Sequence, residues 1–89
     1  MPKDELRERT CTEIVRLLKE ERKAQGISME DLAAKAGLSQ SMISLLERDL
    51  RNPTLDTLLR IADTLDVDLA KILAKAAASA SKRTGSRRT

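Results

Sequence analysis

The amino-acid sequence predicts an all-α fold, arranged as one compact domain of five helices. The chain has 89 residues, 40% of them hydrophobic, which is enough for a single core. Phe, Tyr and Trp are absent, so the core must be built from aliphatic residues, whereas strands favour aromatic and β-branched ones. Apolar residues also recur at helical spacing, in segments that open on Ser, Thr or Asp.

The first helix is predicted from Thr12, and Gly26 terminates it. Charged residues fill the outer side of this helix, and Arg22 lies one turn beyond its apolar face. Residues 1–11 are highly charged and form either an N-terminal arm or an extension of the helix. The apolar residues of the inner face are Ile14, Leu17 and Leu18.

Two short helices follow, separated by a turn that contains Gly37. Ser28 is a good N-cap for the second helix, with Asp31 at the capping-box position, and Ser39 caps the third. Gly37 supplies a turn in which a positive φ costs least, and Leu38 points inward. The predicted inner residues are Leu32, Ala33 and Ala36 in the second helix and Ile43 and Leu46 in the third, with Met42 beside them.

Pro53 breaks the pattern before two further helices. Thr54 or Asp56 opens the fourth helix, and Asp68 caps the fifth. Their predicted inner faces are Leu55, Leu58, Leu59, Ala62 and Leu65 in the fourth and Leu69, Ile72, Leu73 and Ala76 in the fifth. The folded domain is thus expected over residues 12–78, followed by a disordered basic tail at residues 79–89.

The charge and composition exclude several classes of protein. The tail carries four basic residues and no acid, leaving 13 of the 17 basic residues and all 14 acidic residues in the body, a net charge of −1. The pI of 9.4 is therefore a property of the tail, which adds non-specific attraction to phosphates. Without histidine, and with Cys11 alone, we expect no catalytic site, metal site or cofactor. The chain has no long apolar run or signal peptide, and we expect a cytoplasmic, nucleoid-associated protein without membrane contact.

The two short helices form a helix-turn-helix motif at about residues 29–48. Between Leu32 and Leu46 there is one lysine and no acidic residue, as a surface facing DNA phosphates requires. The stretch GISMEDLAAKAGLSQSMISLLERDLRNPTLDTLLRIADTLDVDL resembles the phage repressor and Cro family of Xre-type helix-turn-helix regulators. The resemblance runs from about Ile14 to Leu73 and implies a repressor-like DNA-binding domain, usually dimeric, that regulates transcription.

The resemblance also implies roles for single residues. Gln40 occupies the first position of the recognition helix, residues 40–48, where an amide can bond an adenine edge. Arg22 and Glu47 match a structural salt bridge between the first and third helices. The complete predicted DNA-binding set is Ser28, Ser39, Gln40, Ser41, Ser44, Leu45, Arg48, Arg51, Asn52 and Thr54, the last through backbone amides at a helix N-terminus.

Three positions depart from the family pattern. Met29 replaces a glutamine that contacts a phosphate, so this contact is either lost or taken over by the Ser28 hydroxyl. Leu45 stands at a usually polar position. Three contacts are open to it: a thymine methyl, a partner protein or the extended first helix. Asp49 stands where glycine is frequent, and aspartate tolerates the left-handed conformation moderately well.

The expected partners are double-stranded DNA and a second copy of the chain. The predicted function is therefore a dimeric repressor on a palindromic operator. The dimer surface is either the last helix, LAKILAKAAASAS, or the extended first helix. Alternatives are an antitoxin with a toxin partner, a restriction–modification controller protein, or an interaction module that has lost DNA binding, which Met29 and Leu45 motivate.

Overall fold

The computed structural model describes the backbone of residues 3–83 and the side chains of residues 4–81. This part of the chain forms five α-helices and contains no strand. The predicted all-α, five-helix class is thereby confirmed. None of the helices in this part is long and apolar enough to cross a membrane. The helices are α1 (Lys3–Ala24), α2 (Met29–Ala36), α3 (Gln40–Glu47), α4 (Leu55–Leu65) and α5 (Leu69–Arg83).

The N-terminal residues from Lys3 onward continue α1 rather than forming an irregular arm. Acidic residues in its first turn interact favourably with the helix dipole. Salt bridges at i,i+3 and i,i+4 spacing stabilise its exposed side. A helix of 22 residues is about 33 Å long at 1.5 Å per residue. It therefore accounts for most of the 44 Å long axis of the molecule.

The core is aliphatic and lies where all five helices meet. The predicted inner faces of α2 and α3 are confirmed, since their apolar residues are at most 6% exposed. Ile14 and Leu18 of α1 are likewise buried, and Leu38 packs partly buried against the core from the turn. The buried residues of the central cluster are Ile14, Leu18, Leu32, Ala33, Ile43, Leu46, Ile61, Leu65 and Ala76.

The predicted inner faces of α4 and α5 are wrong at three leucines. Leu55, Leu59 and Leu73 are 66%, 45% and 48% exposed. Ile61, which the predicted face omitted, is 6% exposed and belongs to the core. Both helices carry apolar residues around more than one side, so periodicity alone did not identify the stripe that faces α1 and α2.

The predicted start of the disordered tail at residue 79 is also wrong, because α5 continues to Arg83. Ala76 and Ala80 are fully buried, and the Ser79 hydroxyl donates to Glu13 Oε1 at 3.1 Å. The extended α1 provides the surface against which this part of α5 packs, and small side chains allow a close approach. Residues 84–89 of the predicted tail lie outside the described residues.

Candidate nucleic-acid interface

The two helices of the motif begin at the serines that the sequence predicts. Ser28 Oγ accepts a hydrogen bond from the Asp31 amide at 3.0 Å, and Ser39 Oγ accepts one from the Met42 amide at 3.0 Å. Each cap satisfies one amide that has no partner within its helix. Both predicted N-caps are confirmed, and in both the hydroxyl acts as acceptor, so its hydrogen remains available for donation.

The turn between α2 and α3 depends on Gly37, which adopts φ +74° in the left-handed region. Its amide donates to the Ala33 carbonyl, which closes the C-terminus of α2. Arg60 of α4 lies against this turn and donates from Nη1 to the Ala36 carbonyl at 3.4 Å. A hydrogen bond to Asp56 at 2.8 Å, aided by the charge of that carboxylate, raises the pKa of Arg60 and keeps it cationic.

A buried ion pair joins α1 to the end of α3. Arg22 Nε and Nη2 donate to Glu47 Oε2 and Oε1 at 2.7 and 2.9 Å, which is a bidentate contact. Arg22 Nη1 also donates to the Ile27 carbonyl at 2.7 Å. The side chains are 10% and 9% exposed, so this pair holds α3 in place and turns its carboxylate away from solvent.

Five residues of the predicted DNA-binding set line one shallow concavity on the outer face of α3: Gln40, Ser41, Ser44, Leu45 and Arg48. No carboxylate lines this concavity, which offers amide and hydroxyl groups, one cation and one apolar side chain. Gln40 and Arg48 are exposed, and Leu45 is half-buried. The arrangement can bond the edges and methyl groups that bases present in a major groove. Within residues 3–83, no cluster of carboxylates or thiols is arranged to hold a metal ion.

The loop after α3 begins directly after Arg48, the C-cap residue that lines this concavity. Asp49 adopts φ +59°, and the Thr12 hydroxyl donates to its two carboxylate oxygens at 3.2 and 3.3 Å, which ties the loop to α1. Arg51 and Asn52 are exposed on the loop. Thr54 Oγ1 accepts from the Thr57 amide at 3.1 Å and caps α4. These loop residues therefore adjoin the outer face of α3 without lining its concavity.

A second depression adjoins the concavity on the side of α3 that faces α1. Ser44 and Arg48 line both, and Met29, Lys19 and Lys23 line the depression alone. Met29 is half-buried and packs against the core, which accounts for an apolar residue at this position. Sequence reasoning did not identify the two lysines. The available signal was their spacing. Lys19 lies three residues before Arg22, which the sequence did identify, and four residues before Lys23, so the three side chains share one stripe of α1.

A buried interhelical ion pair, a capped two-helix motif and a recognition helix with an outer face free of carboxylates define a helix-turn-helix domain. The helix-turn-helix family model matches residues 18–72, which is more than half of the chain. The chain belongs to this family, of the Xre type that the sequence resembles.

The relatives that share this motif are named as transcriptional regulators. The chain is 45% identical over 56 residues to a putative HTH-type transcriptional regulatory protein, MJ1164 of Methanocaldococcus jannaschii, and 39% identical over 57 residues to the regulator SinR of Bacillus subtilis. Each match covers 63% of this chain, but 18% of MJ1164 and 51% of SinR. The chain therefore spans only part of these two relatives.

Among solved structures, the fold resembles a point mutant of the restriction–modification controller protein C.Esp1396I with a TM-score of 0.73 and 29% identity. That match covers 82% of this chain and 95% of the other. The structure of a C.Esp1396I tetramer in complex with its natural 35 base-pair operator matches with a TM-score of 0.69 and 30% identity, over 78% of this chain and 95% of that one.

Proposed function

We propose that the chain is a sequence-specific transcriptional repressor that binds a palindromic operator as a homodimer. In this proposal α3 lies in the major groove, where Gln40 reads an adenine edge and Leu45 contacts a thymine methyl. The loop residues Arg51 and Asn52 bind the phosphate backbone. A dimer seated on a promoter then excludes the polymerase.

The observation that carries the proposal is the chemistry of the concavity on α3. Carboxylates make up nearly half of the charged residues in this chain, yet none lines that surface. Glu47, the only acidic residue of α3, does not line the concavity and is neutralised by Arg22 on the neighbouring flank of the helix, which faces α1. A surface built for an ordinary solvated helix has no reason to exclude negative charge, whereas a surface that meets a phosphate lattice does.

An apolar face on α4 and α5 supports a homodimer. Leu59 and Leu73 are about half exposed, and Val67 and Leu69 line the groove between them. Leu55, 66% exposed, lies one turn before Leu59 on α4. Asp63 and Asp68 also line this groove. Exposed leucines grouped on one face favour an interface, and a two-fold axis would place this face against its own copy. This face uses the first half of α5, because Ala76 and Ala80 are buried within the same chain.

The first experiment is sequencing of genomic fragments retained by the purified protein, with Gln40→Ala and Arg51→Gln in parallel. The wild type should recover a palindrome with half-sites about 34 Å apart. Gln40→Ala should relax the preference at one position in each half-site, by about 1–3 kcal/mol. Arg51→Gln should weaken all sequences alike. Retention without any sequence preference would contradict the proposed function.

The dimer face is tested by sedimentation of Leu59→Glu and Leu6→Glu. Leu6 is 39% exposed on α1, the alternative dimer surface, so the two variants place the same charge on rival faces. We expect Leu59→Glu to sediment as a monomer and Leu6→Glu to remain a dimer. The opposite result would transfer the interface to α1.

A second candidate function is control of a restriction–modification system. The favouring observation is the likeness to C.Esp1396I, which extends over nearly all of that protein at 29% identity. In this case we expect two adjacent palindromes in the recovered operator, occupied by a tetramer, and neighbouring genes for a methyltransferase and an endonuclease. A single palindrome that binds one dimer would contradict the controller hypothesis. None of the relatives named above is described as an antitoxin, so a toxin partner has no support.

A further inference from the structure

The depression between α1 and α3 has a strongly positive lining. Arg22 and Glu47 reach its wall, but they neutralise each other in their bidentate pair. Lys19, Lys23 and Arg48 also line it, and none of these three makes a salt bridge among the described residues. Three cations without carboxylate partners in this part of the chain therefore converge on one concave surface.

The fold anchors one of these cations, Lys19, and places Lys23 beside it. Lys19 is half-buried and lines the small apolar cavity of the core as well as the depression, so its aliphatic stem lies along core residues. Lys23 follows it at i,i+4 spacing, which puts the two Cβ atoms about 5–6 Å apart on one face of α1. Met29 supplies an apolar floor that cannot compete as a hydrogen-bond partner.

The position of the depression indicates its ligand. It shares Ser44 and Arg48 with the concavity on α3, and the rest of its lining comes from α1, from Met29 at the start of α2 and from Glu47. When a recognition helix enters a major groove about 12 Å wide, a phosphate backbone passes on each side of it. A depression that adjoins the outer face of α3 and is lined by α1 therefore lies where one of these backbones would pass.

We propose that Lys19 and Lys23, together with Arg48, form a binding site for backbone phosphates of the DNA strand that passes along α1. The inference rests on the proposed function and names two residues that the motif itself does not supply. It also bears on Met29, an apolar residue where a phosphate contact is usual: Lys19 and Lys23 of α1 supply a phosphate contact on this flank, beside the Ser28 O–H, which stays available because the cap uses that hydroxyl as an acceptor.

The test compares two pairs of lysines that share one geometry. Lys19→Gln/Lys23→Gln removes two positive charges at i,i+4 spacing from α1, and Lys71→Gln/Lys75→Gln removes two at the same spacing from exposed positions on α5. A third variant, Lys19→Arg/Lys23→Arg, keeps the charge. Each is titrated with the selected operator and with unrelated duplex at several salt concentrations, after circular dichroism has verified its fold.

The α1 glutamine variant should weaken binding to both duplexes and lower the slope of log K against log salt by about 0.9 for each lost phosphate contact. Between about 50 and 200 mM salt, its deficit should thus shrink about 3- to 4-fold per contact. The α5 control should change the slope little, and the arginine variant should restore it. Equal effects of the α1 and α5 pairs would show that only net charge matters and would overturn the site.

A neutral methylphosphonate, placed singly along each operator strand, locates the contact. At the contacted phosphate, wild type and the α1 glutamine variant should bind with equal affinity, because the partner of the lysines is gone. If no position abolishes the difference, the site does not hold the backbone and the inference fails. If the inference fails while the protein with Gln40 intact still prefers its operator, the proposed function stands. The two failures can therefore be told apart.

Discussion

Replacing Glu47 with glutamine should destabilise the domain severely, although the two side chains have nearly the same shape. The substitution leaves the Arg22 side chain, 10% exposed, as a buried cation without a counter-charge. Breaking one partner of a buried pair costs about 3–5 kcal/mol. Because Arg22 keeps its bond to the Ile27 carbonyl, we expect the lower end, about 3 kcal/mol.

This loss is large against the total of about 5–15 kcal/mol that stabilises a typical domain. For a chain of this size, it corresponds to a fall in Tm of about 12–24 °C. The assay is thermal and urea unfolding followed by far-UV circular dichroism, since the chain has no aromatic residue to serve as a fluorescent probe.

The matched control is Glu20→Gln, which removes the same charge from the surface of α1. Glu20 pairs with Arg16, but its side chain is 58% exposed, so its loss should cost at most about 1 kcal/mol. The double variant Arg22→Met/Glu47→Leu should be more stable than Glu47→Gln, because it removes both buried charges. If Glu47→Gln lost no more stability than Glu20→Gln, the pair would behave as a solvated contact and the reasoning would be refuted.

Two further predictions concern backbone and packing, and both are measured by the same unfolding assay. Gly37→Ala should cost about 1–2 kcal/mol for its left-handed φ, plus a small amount for the Arg60 Nη1 atom 3.0 Å from the added Cβ. Gly26→Ala has a similar φ but no atom within 4 Å, so a larger loss at Gly26 would contradict this account. Ala80→Leu should cost about 1–3 kcal/mol by overpacking the contact between α5 and α1, while Ala78→Leu at an exposed position should be nearly neutral. Equal stability of these two leucine variants would mean that α5 does not pack on α1 beyond Ser79.

The helix-turn-helix motif was predictable because its signals are local. A serine cap acts within one turn of a helix, as Ser28 and Ser39 do here, and a left-handed glycine acts at its own position, as Gly37 does. The carboxylate-free face of α3 follows in the same way from residues that are close in sequence. The Arg22–Glu47 pair spans 25 positions, and only the family resemblance indicated it in advance.

The errors occurred where the outcome depends on neighbours in space. Leu59 and Leu73 fit an apolar stripe, but the side of each helix that faces the core is set by the angle at which it meets the other helices. Ser79 begins a segment of small and basic residues that resembles a disordered tail. The segment is helical because it packs against the extended α1, and because the Ser79 hydroxyl donates a hydrogen bond to the carboxylate of Glu13 on that helix.

The sequence by itself determined the fold class, the helix caps, the turn and the chemistry of the recognition surface, because each depends on residues within a few positions of one another. Only the tertiary structure decided which leucines stay exposed, how far α5 extends, and which cations stand beside α3. Lys19 and Lys23 precede Arg48 by more than twenty positions, and only the packing of α1 against α3 brings them to one surface. Contacts of this kind depend on the simultaneous placement of distant segments, which periodicity and propensity do not specify.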